Sequence, residues 1–282
     1  MYWEHIIKLL ERHRLACLLA VFLGISVIGL GVAQDSLPKV LTYLSVIICC
    51  FLLSEFIFYS GKLILPDWNI RQQKIELIVI ISCEIVMLLL LIYWFVFVDP
   101  GAISKGGRIG LMILRLLFGY PIFFLIYFLG IKRYSLANLG FRLKHWYVAA
   151  PIIILIGGST YLTFPEGLKF QDVLQHQGVM AFLTLGLLTA SIPEELTRHL
   201  FQSRLSALTS KSIGWFVVSL VWALTHIPSF GSQSGDYIGA TISAIGILPI
   251  GLLWGYLNQR YRSIIPSVII HGTNLWGLQN IF

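Results

Sequence analysis

Long apolar runs, broken by short clusters of charged and turn-forming residues, organise this chain from end to end. The runs sit near 15 to 33, 40 to 59, 75 to 98, 109 to 131, 146 to 163, 183 to 208, 212 to 228, 237 to 258 and 263 to 282. About 20 apolar residues in a helix cross a hydrocarbon core of ~30 Å, and a helix satisfies its own backbone hydrogen bonds in lipid. The pattern predicts an all-α polytopic membrane protein, a bundle of eight or nine transmembrane helices. Ahead of the first run, Ile6, Ile7, Leu9 and Leu10 alternate with Lys8, Arg12 and Arg14, the spacing of an amphipathic helix lying in the interface. A cleaved leader competes with that reading, with Val32 and Ala33 before Gln34 as a weak processing site.

Composition agrees: 57% of residues are hydrophobic and 12% charged, far from a soluble globular average. The net charge of +7 follows topology, because cytoplasmic loops concentrate Lys and Arg. A cytoplasmic N-terminus puts Lys8, Arg12, Arg14, Lys62, Arg71, Lys74, Lys132, Arg133, Arg142, Lys144, Arg198, Arg204, Lys211, Arg260 and Arg262 inside. Lys39, Lys105, Arg108 and Lys169 fall outside. Dispersed over many loops, these cations form no single stripe, which argues against a nucleic-acid partner. The expected setting is multi-pass in the plasma membrane, with the lipid bilayer as partner. Cys17, Cys49, Cys50 and Cys83 lie in or beside apolar runs without CxxC spacing and read as small buried hydrophobes.

Charges inside the runs need partners. Glu55, Glu76, Glu84 and Arg115 read as residues paired against protein or headgroups, and Gly251 with Gly255 as a small-xxx-small packing pair. The basic loop 132–145 divides the chain into N-terminal scaffold helices, 1–131, and a C-terminal core, 132–282, which holds most intramembrane polar positions.

Within that core, Glu194 and Glu195 are adjacent, and His226 and His271 lie in later runs. An ionisable pair at membrane depth points to function. The sixth and seventh runs form an antiparallel pair around Thr209, Ser210 and Lys211. Glu194 lies 16 positions before Ser210 and His226 lies 16 after it, so both stand ~24 Å from the turn at ~1.5 Å per residue. His271 lies nine residues beyond Arg262, a depth of ~13 Å, and Asn274 shares its face at i+3. Pro193, Pro266 and ordinary helix tilt accommodate the difference. A carboxylate and an imidazole in a desolvated pocket can activate water. A second imidazole with an amide can stabilise the oxyanion of a cleaved peptide bond. Trp222, Trp254 and Trp276 read as groove-lining or interface residues.

The stretches PEELTRHLF (193–201), WALTH (222–226) and HGTN (271–274), with NLGFR (138–142) as a lead-in, resemble the CAAX prenyl protease and bacteriocin-processing (CPBP, or Abi) intramembrane endopeptidases. Members of that family carry EExxxR, an aromatic-xxx-His motif and HxxxN or HxxxD on successive helices. The resemblance spans about 132–282 and implies a protease acting on membrane-associated peptides or proteins: prenylated CAAX proteins, bacteriocin leaders or small membrane peptides. It implies catalytic roles at Glu194, Glu195, Arg198, His226, His271 and Asn274. Both metal-free glutamate chemistry and metal-dependent chemistry are discussed for the family. Zinc on Glu194, His226 and His271 is therefore one alternative, although no HExxH helix is present.

The chain departs from the family pattern twice. Two residues, not three, separate Glu195 from Arg198, and HxxN replaces HxxxN, with Leu275 at the family's polar position. Pairing through Arg198 at i+4 selects Glu194 and leaves Pro193 in the catalytic slot. Pairing through Glu195 puts His199 in the Arg slot and leaves Glu194 as the general base, the register preferred here. Arg198 then reaches a carboxylate or snorkels as a cytoplasmic cation. His5, His13, His145 and His176 lie near expected membrane boundaries. A non-catalytic immunity or scaffold protein of the same fold and, behind it, a proton-coupled transporter are the alternatives to the protease. The sequence carries no signal for oligomeric state.

Overall fold

The computed structural model describes residues 2–33, 36–61, 63, 65, 68–93, 121–163, 187 and 191–274, and all regular structure among them is helical. In chain order come α1 (Tyr2–Arg12), α2 (Arg14–Ala33), α3 (Leu37–Ser60), α4 (Gln73–Ile92) and α5 (Pro121–Leu125), which continues with π-helical geometry over Ile126–Ile131. Two 3₁₀ turns, Leu136–Leu139 and Leu143–Val148, lead into α6 (Ala149–Thr163). The C-terminal helices are α7 (Ile192–Leu208), α8 (Lys211–Leu224), α9 (Ile227–Ser234), α10 (Tyr237–Tyr261) and α11 (Ile265–Asn274).

Among the described residues, four stretches are long and apolar enough to cross a bilayer: Leu37–Ser60, Leu136–Ser159, Lys211–Ser234 and Tyr237–Tyr261. Cys17–Ala33 is a shorter apolar helix. Most of the expected span near 109–131, the start of the sixth run, and Arg115, His176, Leu275 and Trp276 lie outside the described residues. The bundle is inverted relative to a water-soluble one. Leu18, Phe22, Ile25, Ile48, Ile78 and Leu89 point outward, while Glu55, Glu76, Glu195, Arg198 and Arg204 are buried. That distribution suits a hydrocarbon solvent, where charges face protein.

Two buried carboxylates tie α3 and α4 to the C-terminal helices. Glu55 of α3 receives Arg260 Nη2 and His5 Nε2, both at 2.8 Å, and the Tyr256 hydroxyl. This cluster docks α1, whose Trp3, Ile7 and Leu10 stay exposed. Glu76 of α4 accepts Arg204 Nε at 2.9 Å and the Tyr134 hydroxyl at 2.7 Å. Glu55 and Glu76 are thus paired as expected. Arg204 is a correction to the loop assignment, because it lies in the interior as the partner of Glu76 and under the Phe128 ring.

The turn expected at 209–211 joins α7 and α8, and the Ser210 hydroxyl caps the Ile213 N–H at 3.2 Å, the ordinary role of a serine N-cap. Within α10, Pro249 supplies no N–H to the helix ladder. There the Tyr43 hydroxyl donates to the Gly246 carbonyl at 3.3 Å and accepts the Ile250 N–H at 3.1 Å.

Candidate active site

The site is assembled at the start of α7. Proline is tolerated in a first turn, where backbone N–H groups lack helical partners, so Pro193 opens this helix. Two carboxylates beside it complement the positive end of the helix dipole. Successive helical residues diverge by ~100°, which sends the two side chains into different surroundings. The Glu195 side chain is 0% exposed and that of Glu194 is 16% exposed.

Glu195 is fully engaged. Its Oε1 lies 3.0 Å from His271 Nδ1, and its Oε2 accepts Asn258 Nδ2 at 2.7 Å. Arg198 Nε stands 3.4 Å from the same Oε2. An ionised carboxylate only accepts hydrogen bonds, so His271 carries a proton on Nδ1 and turns Nε2 away from Glu195. That Nε2 stands 3.7 Å from Glu194 Oε2. Asn258 in turn accepts the Ser267 hydroxyl on Oδ1 at 2.5 Å.

Trp222 of α8 joins the remaining groups. Its Nε1–H donates to Glu194 Oε2 at 2.7 Å, and its carbonyl lies 2.9 Å from His226 Nδ1. The Arg198 guanidinium lies 4.3 Å over the indole, and its Nη1 donates to the Gly251 carbonyl at 2.8 Å. A Cβ on Gly251 would stand 2.6 Å from the Trp222 ring, so the indole reaches Glu194 because this position has no side chain. Gly272 likewise permits a close approach, since a Cβ there would meet Leu187, ahead of α7, at 2.5 Å. The Trp254 ring lies nearly parallel to His271, with centroids 6.0 Å apart.

The expected residues therefore meet in part. Glu194, Glu195, Arg198 and His271 form one cluster, and Glu194 and His226 reach the same indole. His226 lies within the Lys211–Ser234 stretch, at the junction where α8 ends and α9 begins. The preferred register is corrected: Arg198, at i+3, is the cation beside Glu195, while His199 is buried against Trp68 and Gly140. Arg198 is 2% exposed, which excludes a snorkelling cation. Asn274 ends α11, and its side chain lies outside the described residues. Among the described residues no three His, Cys, Asp or Glu side chains stand together as a metal site, so Glu194, His226 and His271 do not fit a ready-made zinc triad.

Sequence reasoning missed Asn258 and Ser267 and gave Trp222 and Trp254 only a lining role. The available signal was spacing, since Gly251, Trp254 and Asn258 recur at i, i+3 and i+7 and so share one face of α10.

No curated protein and no solved structure matches this chain. Residues 176–276, which hold all three motifs, match the type II CAAX prenyl endopeptidase Rce1-like family. Over this C-terminal segment, about a third of the chain, the match supports the resemblance to the CPBP, or CAAX-protease, family.

Proposed function

We propose that the chain is an intramembrane endopeptidase that hydrolyses peptide bonds of membrane-associated peptides or proteins, with Glu194 as general base. The observation that carries this reading is the contrast within the carboxylate pair. Glu195 is sealed and spends both oxygens on His271, Asn258 and Arg198, whereas Glu194 is partly exposed and 3.7 Å from His271 Nε2. One carboxylate is sealed into the site, and the other, partly exposed and held by the Trp222 Nε1–H, is placed for proton transfer.

In this mechanism Glu194 takes a proton from water as the hydroxide oxygen bonds to the scissile carbonyl carbon. His226 gives its Nδ1–H to the Trp222 carbonyl, which leaves Nε2 to accept the second water O–H and aim the oxygen. His271, whose Nδ1–H faces Glu195, receives on Nε2 the proton that Glu194 took and donates that Nε2–H to the developing oxyanion, with Asn274 as the second donor. When the C–N bond breaks, the leaving nitrogen takes the Nε2 proton. That transfer leaves His271 in its Nδ1–H form and Glu194 ionised, which resets the site.

No step passes through a metal. The test is purified protein in detergent incubated with a quenched-fluorescent peptide library, repeated with Glu194→Ala, His226→Ala and His271→Ala and with 1,10-phenanthroline. Cleavage by the parent and its loss in each variant are expected, with no effect of the chelator. Cleavage that survives Glu194→Ala overturns the reading, and chelator-sensitive cleavage returns zinc to Glu194, His226 and His271.

A further inference from the structure

The polar chain behind Glu195 does not end at the family motifs. Ser267 on α11 and Asn258 on α10 are both buried. The Ser267 hydroxyl is 2.5 Å from Asn258 Oδ1 and 2.9 Å from the Ile264 carbonyl. A hydroxyl has one proton and an amide oxygen has none. With the proton directed to Oδ1, the Asn258 amide is held in one orientation, its NH₂ facing Glu195 Oε2 at 2.7 Å. The carboxylate plane is then fixed, and Oε1 is presented to His271 Nδ1 at 3.0 Å. Arg198 cannot do this alone, because its Nε stands at 3.4 Å and its Nη1 is spent on the Gly251 carbonyl.

We infer that Ser267 and Asn258 are positioning residues of the hydrolase site, a two-member relay that fixes the orientation of Glu195 and through it the tautomer and aim of His271. Neither touches the reacting atoms. The inference rests on the protease reading for its kinetic consequence and on geometry alone for its effect on the imidazole. The relay also gives a chemical reason for an amide at position 258. A carboxylate there would face Glu195 with like charge, and an apolar residue would leave Oε2 without its nearest donor.

Displacing a catalytic group by about 1 Å costs about a hundredfold in rate. In a peptide-cleavage assay, Asn258→Ala is expected to lower kcat about a hundredfold with KM within about twofold of the parent. Ser267→Ala is expected to lower kcat about tenfold, the scale of one neutral hydrogen bond, and Ser267→Thr, which keeps the hydroxyl, restores it. A second readout needs no turnover: NMR of ¹⁵N-histidine-labelled full-length protein. The His271 signal is expected as the Nδ1–H form in the parent and Ser267→Thr, and displaced toward tautomer averaging in Asn258→Ala and Ser267→Ala. A merely structural role predicts a lowered thermal midpoint with an unchanged imidazole spectrum, and that result overturns the inference. If the parent cleaves and both alanine variants keep kcat within twofold, the inference fails while the protease reading stands. If the parent does not cleave, the protease reading fails and the His271 spectra decide the relay.

Discussion

Glu194 and Glu195 carry the same functional group one residue apart, and their different fates come from one step of helical rotation. Glu195 →Ala leaves Arg198 buried without its carboxylate, a change that costs about 3–5 kcal/mol, and the expected result is a sharply lower thermal midpoint in detergent. Trp222→Phe keeps an aromatic face under Arg198 but deletes the Nε1–H on Glu194 Oε2. Loss of one such hydrogen bond is worth about 1 kcal/mol, so kcat in the cleavage assay should fall roughly five- to tenfold. Gly251→Ala drives a methyl into the indole and should cost about 1–3 kcal/mol as overpacking, read from the same melting experiment. At this scale the sequence exposed the motif residues because charges stand out in apolar runs. The Arg198 register did not follow, since Glu195 with Arg198 at i+3 and with His199 at i+4 are equally allowed on a helix. The choice is made by Trp222 and Gly251, which come from other helices.

Among elements, local features were legible and cross-element pairing was not. The Ser210 turn follows from the chain's own polarity pattern, whereas the bond between Arg204 of α7 and Glu76 of α4 joins residues 128 positions apart and leaves no spacing signal. A buried pair resists loss of one partner more than loss of both. Glu76→Ala should therefore destabilise by about 3–5 kcal/mol, while Glu76→Leu combined with Arg204→Met should recover most of that in thermal unfolding. The turn at Pro249 has a separate support. Tyr43→Phe removes the hydroxyl that serves both Gly246 and Ile250, at a cost of about 1–3 kcal/mol for the unsatisfied groups, and the Ile250 amide should exchange faster with deuterium.

For the whole molecule, the apolar pattern established a multi-pass helical membrane protein, and the buried polar groups gather where the motifs converge. The alternation of basic loops leads to the expectation that the N-terminus and loop 132–145 face the cytoplasm. Single cysteines placed there in a background lacking Cys17, Cys49, Cys50 and Cys83 should resist a membrane-impermeant maleimide in intact cells. What the apolar pattern left unread is the layer behind the site, because Asn258 and Ser267 become meaningful only once α10 and α11 are packed on α7. The most direct measurement of the central claim is peptide cleavage by the purified parent and by Glu194→Gln, with thermal midpoints recorded on the same samples. The account expects Glu194→Gln to keep the parent's midpoint and lose at least about a thousandfold in kcat, the upper range for a general base. A folded Glu194→Gln protein that cleaves at the parent's rate contradicts it.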